Sequence, residues 1–125
     1  SLCFPGLLKR ALLVKAKKIT DKMAIAAAYA IAETAEKNGL TPDYIAPLMD
    51  ETETFRNVAV AVAMQAQEEG VARVSMTADE VYAQAKQDID EARGLTQHLI
   101  DNKFIKEPTT EMIEACLEKA IAQVG

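Results

Sequence analysis

The chain has 125 residues, half of them apolar and 26% charged, with 14 basic against 19 acidic side chains and a net charge of −5. That length suits one domain with a real core rather than two, and the composition excludes a disordered chain. The acidic balance argues against a general nucleic-acid binder, which needs basic excess to displace counterions.

The charge is uneven. Six basic residues (Lys9, Arg10, Lys15, Lys17, Lys18, Lys22) stand against Asp21 in the first 23 positions, on an otherwise acidic body. The two cysteines, Cys3 and Cys116, are far apart, there is no CxxC, and there is one histidine. Ligand count therefore opposes a structural zinc site, and free thiols in a reducing compartment are the expectation. No apolar run reaches the roughly 18 residues that a membrane span needs. Lys9 and Arg10 interrupt the apolar start, so it does not read as a signal peptide; the expected location is the cytoplasm. The chain opens at Ser1 rather than Met, so either Ser1 is a cloning remnant or the chain begins inside a longer protein.

In chain order, SLCFPG (residues 1–6) reads as the end of a strand running into a Pro-Gly turn. Leu7–Lys18 reads as a first helix, with Leu8, Ala11 and Leu12 on one face. Thr20 is a good N-cap for a second helix over Asp21–Lys37. There Met23, Ala27, Ala30 and Thr34 follow one stripe and Ile25, Tyr29 and Ala32 another, which predicts deep burial on most sides. Asn38-Gly39 stops it. Thr41-Pro42-Asp43 starts a short helical turn that Pro47 breaks.

Thr52–Glu69 contains the alternating stretch VAVAVAM, which a strand would also fit. Helix is preferred, because Phe55, Val58, Ala59, Val62 and Ala66 recur at helical spacing and the flanks are rich in helix formers. Gly70 ends it. Thr77-Ala78-Asp79-Glu80 is a capping box, opening a helix to about Asn102 whose seam is Tyr82, Ala85, Ile89, Ala92, Thr96 and Leu99. Pro108-Thr109 opens a last helix with Ile113, Cys116, Leu117, Ala120 and Ile121 on one face. The expected fold is mostly α, about five helices after a short N-terminal strand.

At FPGLLKRALLVKAKKITDKMAIAAAYAIA (Phe4–Ala32) the chain resembles the malic enzymes, the decarboxylating malate oxidoreductases. The likeness is to the C-terminal part of their NAD(P)-binding domain, whose pattern is close to FPGxxxGALxxxAxxIxxxMxxAAAxAIA. A second block, AVAMQAQEEGVAR (Ala61–Arg73), resembles the family's AVAxxAxExGVAR, and DYIAPLMD between them resembles its "YIIP" segment. The likeness covers residues 1–73, so 74–125 reads as an added helical tail. It departs from the family at Arg10, where a Gly is usual, and at Leu13, where an acid is usual.

The resemblance implies the helical C-terminal portion of a Rossmann-type domain, from an enzyme that oxidises and decarboxylates malate to pyruvate. That parent enzyme would use NAD or NADP and a divalent metal, Mg or Mn. It also implies that the family's Tyr acid, Lys base, carboxylate metal ligands, Gly-rich phosphate turn and asparagine pair lie upstream. The chain then carries no catalytic residue and no metal ligand, and is expected to bind no cofactor alone. Phe4, Pro5 and Gly6 are the one pocket-adjacent segment, a loop edging the substrate and nicotinamide site or a turn that only shapes the backbone. The implied partners are the upstream part of the same enzyme and a second copy in a homo-oligomer, with no membrane or nucleic-acid partner. A different class of function is also open, a stand-alone helical module for dimerisation or docking.

The remaining candidates read first as structure. Lys9, Arg10, Lys15, Lys17 and Lys18 are a solvated helix face before they are an anion patch. His98 has no nucleophile or ligand partner in the sequence. Cys116 sits on an apolar face and reads as a buried thiol, as does Cys3. Glu68, Glu69, Asp88, Asp90 and Glu91 read as an exposed acidic face before a metal site.

Overall fold

The structure is a computed structural model and describes residues 2–124. It is helical: α1 Cys3–Leu13, α2 Asp21–Asn38, α3 Thr52–Glu68, α4 Ala78–Asp101 and α5 Thr110–Val124, with no sheet among the described residues. The packing divides the chain into two units, Ser1–Asp90 and Glu91–Gly125.

The expected N-terminal strand is not there. Cys3 and Phe4 are the first residues of α1, while Ser1 lies outside the described residues. The Pro-Gly pair misled for a physical reason. Pro5 is the third residue of α1, where backbone N–H groups have no intrahelical acceptor, so its missing donor costs nothing. Gly6 serves a close approach rather than a turn. A Cβ there would lie 2.8 Å from Val58 Cγ1 and 3.3 Å from Val58 Cβ, so only glycine lets α3 come this near.

The same helix ends earlier than its sequence promises, at Leu13 rather than Lys18. The backbone after it is claimed by the segment that follows α3: Val14 O accepts from Arg73 N (2.9 Å) and Val74 N (3.2 Å), and Lys17 N donates to Val71 O (3.0 Å). Lys15 turns into the left-handed region at φ 48°.

In α2 the cap is as expected, Thr20 Oγ1 accepting from Met23 N at 3.2 Å, and Gly39 ends the helix at φ 89°. Met23, Ala27, Ala30 and Thr34 are buried, but Ile25 and Tyr29 are 54% and 66% exposed. Burial on most sides therefore does not hold within this chain. Thr41-Pro42-Asp43 is not a helical turn either. Thr41 and Tyr44 exchange backbone hydrogen bonds of 3.1 Å each way as an isolated antiparallel bridge. Glu51 braces this connection, accepting from Leu48 N (2.7 Å), Asn38 Nδ2 (2.7 Å) and Tyr44 Oη (2.8 Å).

VAVAVAM is helix. In α3, Val58, Ala59, Val62, Ala63 and Ala66 are buried, and the small alanines let α1 and α2 pack closely on either side. The capping box forms in full, Thr77 Oγ1 accepting from Glu80 N (3.2 Å) and Glu80 Oε2 from Thr77 N (2.8 Å). Val81 and Ala85 then carry the first part of α4 into the same core.

From Glu91 onward no described residue is buried. The apolar stripe of α5 is regular, yet Ile113 and Ile121 are 55% and 64% exposed. Thr109 Oγ1 caps the helix by accepting from Met112 N at 3.3 Å.

Candidate functional site

The pocket-adjacent segment Phe4–Gly6 is the opening turn of α1 rather than a loop. Phe4 is 66% exposed, Gly6 is buried against Val58, and the side chain of Pro5 lies outside what is described. The turn offers an apolar ring and a tightly packed backbone. Neither supplies a proton-transfer group or a nucleophile.

The basic start does not act as one surface. Lys15, Lys17 and Lys18 are exposed, whereas Arg10 is buried and faces inward. Its Nη2 lies 3.0 Å from Asp88 Oδ2, and Lys9 Nζ lies 3.2 Å from the same oxygen. Gln84 Nε2 donates to Asp88 Oδ1 at 3.1 Å. Burial pushes the Asp88 carboxyl up, but the hydrogen bonds from Gln84 and Lys9 and the charges of Lys9 and Arg10 outweigh it and hold the pKa below the ordinary value.

The other carboxylates are dispersed. Glu69 accepts from Thr20 Oγ1. Asp90 pairs with Lys86 and lies 4.0 Å from Arg56 Nη2. Among the described residues no group of three His, Cys, Asp or Glu is placed to hold a metal ion, so these side chains do not fit a divalent metal site. His98 is exposed, with Asn102 Nδ2 3.3 Å from its Nδ1. Cys116 is exposed rather than buried and Cys3 is half-buried. On the face that carries Cys116, Ile113, Leu117 and Ile121 are exposed too.

One feature escaped the sequence reading. A shallow groove of about 350 Å³ runs between α2, α3 and the start of α4, lined by Glu33, Lys37, Asn57, Asp79 and Tyr82. Thr34, at its floor, is fully engaged, donating to Ala30 O (2.8 Å) and accepting from Asn57 Nδ2 (3.1 Å). The i, i+4 spacing of Glu33 and Lys37 was visible in the sequence, but their meeting with Asp79 and Tyr82 depends on helix packing. Neither this groove nor α1 has the Gly-rich strand-to-helix turn that cradles a dinucleotide pyrophosphate.

Comparison with known proteins decides the family. The model of the malic enzyme NAD-binding domain matches residues 1–67. The chain belongs to the malic enzyme family. A bifunctional malic/malolactic enzyme of Bacillus subtilis is 41% identical over 80 residues, which is 64% of this chain and 20% of that protein. An NAD-dependent malic enzyme of Geobacillus stearothermophilus is 39% identical over 72 residues, 58% of this chain and 15% of that one. The crystal structure of Entamoeba histolytica malic enzyme superposes with a TM-score of 0.92 at 51% identity, covering 98% of this chain and 26% of that chain. The chain thus spans about a fifth of the Bacillus relative and a quarter of the Entamoeba one. Since the Entamoeba match covers almost all of this chain, helices after Arg73 have counterparts in a malic enzyme. The sequence pattern alone did not reveal that. No helix among the described residues is long and apolar enough to cross a membrane.

Proposed function

We propose that this chain is the helical C-terminal part of the Rossmann-type NAD-binding domain of a malate oxidoreductase. The whole protein would convert malate to pyruvate by oxidation and decarboxylation, with NAD or NADP and a divalent metal such as Mg or Mn. The observation that carries this reading is the joint match of the family model and the Entamoeba malic enzyme structure over these helices.

In this reading the chain is scaffold. Its helices cover one side of the cofactor domain, and Phe4, Pro5 and Gly6 edge the substrate and nicotinamide pocket. The proton-transfer groups, metal ligands and phosphate turn are supplied by the rest of the enzyme, so the 125-residue chain is inactive alone. The exposed apolar side chains Leu12, Ile25 and Tyr29 of the first unit and Ile113, Leu117 and Ile121 of the second support the idea that more protein covers them. That cover would be the remainder of the enzyme and a second copy in a homo-oligomer, in the cytoplasm.

The test is malate-dependent reduction of NAD and NADP, with Mg or Mn, by the 125-residue chain and by a longer protein that includes the family's upstream region. Turnover is expected from the longer protein only. Turnover by the short chain would overturn the scaffold assignment, and an inactive longer protein would overturn the malate assignment.

A further inference from the structure

Gly6 and Arg10 of α1, with Val14 at its C-terminal cap, lie inward one turn apart, and on α4 Val81, Ala85 and Asp88 follow one stripe. The two stripes meet where Arg10 Nη2 reaches Asp88 Oδ2 at 3.0 Å. This contact joins α1 to a helix that lies beyond the 1–67 match. We infer that Arg10 and Asp88 form a lock through which the first half of α4 fixes the setting of α1, and with it the turn Phe4–Gly6. The lock rests on the packing and holds whether or not the malate reading does.

The pair is asymmetric. The Arg10 side chain is 4% exposed and that of Asp88 19%. Asp88 has other partners in Lys9 and Gln84. Among the described residues Arg10 pairs with no second carboxylate, and its Nη1 is buried without a hydrogen-bond partner. Losing Asp88 strands a buried guanidinium beneath α1. Losing Arg10 leaves a carboxylate still paired at the rim. A buried charge deprived of its partner costs far more than replacement of the whole pair by neutral groups. Leu2 makes no side-chain cap at the N-terminus of α1, so its setting rests on packing: Cys3, Leu7 and Ala11 lie on the core, and Arg10 adds its tie to Asp88.

The experiment is hydrogen exchange with mass spectrometry on the intact 125-residue chain, following Leu2–Leu13 with α2 as internal reference. Asp88→Asn is expected to speed exchange in Leu2–Leu13 by about tenfold or more over its effect in α2. Lys9→Ala should change it by less than about threefold, as for an exposed pair. The double variant Arg10→Met/Asp88→Asn, which removes the stranded charge, should return to within about threefold of wild type. If Asp88→Asn unfolds the whole chain, a folded double variant still supports the lock. Wild-type exchange in Asp88→Asn, or a double variant as unprotected as Asp88→Asn, overturns it.

Discussion

The two units of this chain are built from helices of the same kind and end in opposite states. In Ser1–Asp90 the stripe Met23, Ala27, Ala30 and Thr34 of α2 is buried against α1 and α3. In Glu91–Gly125 the stripe Met112, Ile113, Leu117 and Ile121 of α5 is just as regular, and all four side chains are exposed. Amphipathic periodicity selects a helix and names the face that burial will use. It does not supply the surface that covers that face. In the first unit the alanines of α3 supply it. In the second, no described residue is buried.

The largest test of that contrast is a pair of truncations. Met23→Ala, in the core, should cost about 2–5 kcal/mol in urea unfolding. Ile113→Ala, at an exposed site, should cost less than about 0.5 kcal/mol in the 125-residue chain. A cost at Ile113 near that of Met23 would show that the second unit's stripe is covered, and the contrast would fail.

Glycines sharpen the comparison at the next level. Gly6→Ala should destabilise by about 1–3 kcal/mol, because the new Cβ meets Val58 at 2.8 Å. Gly94→Ala, with open space around it, should raise helix content by circular dichroism, a gain of up to about 1 kcal/mol of helix propensity. A destabilising Gly94→Ala would reveal a neighbour at that position.

Caps come next. Thr77→Ala breaks the box with Glu80 and should cost about 1 kcal/mol in urea unfolding, because α4 enters the core at Val81. Thr109→Ala removes the same kind of cap from α5 and should fray that helix without moving the main unfolding midpoint. Equal shifts from both would mean that the units unfold together.

The smallest effect is that of pH. The Asp88 pKa is depressed in the folded chain, so its contribution is fully present above the ordinary aspartate value of about 3.9 and is lost as pH falls through the lower folded value. Glu80 acts in the same sense, lowered chiefly by the Thr77 backbone N–H. Urea midpoints recorded from neutral pH downward should fall in that acid window. Asp88→Asn should flatten part of the fall, and an unchanged slope would show that the Asp88 pairing contributes nothing.

Helix number and type were legible in the sequence because the signals were local. Thr20, Asn38-Gly39, Gly70 and the Thr77–Glu80 box mark ends by backbone chemistry that needs no partner. Phe4-Pro5-Gly6 was misread because a proline in the first turn of a helix and a proline closing a strand have the same sequence. Only the nearness of Val58 shows why Gly6 is glycine. Arg10 was assigned to a basic surface because a cation among lysines looks solvated, and its burial depends on Asp88, 78 positions away. The groove at Glu33, Lys37, Asp79 and Tyr82 was illegible for the same reason, since three helices build it.

The sequence by itself determined the five helices, most of their ends, the buried stripe Met23, Ala27, Ala30 and Thr34 of α2 and the malic enzyme likeness of the first 73 residues. These follow from period, caps and local pattern, which act over a turn or two of chain. It did not determine the inward face of α1, where Leu8 and Leu12 are exposed. Tertiary structure alone decided that α1 begins at Cys3 and gives way after Leu13, where Val14 turns its carbonyl to Arg73. It also decided that Arg10 is interior and that the stripe of α2 is covered while that of α5 is not. Those outcomes depend on which surfaces meet, and a surface contributed by residues far along the chain leaves no mark on the pattern it covers.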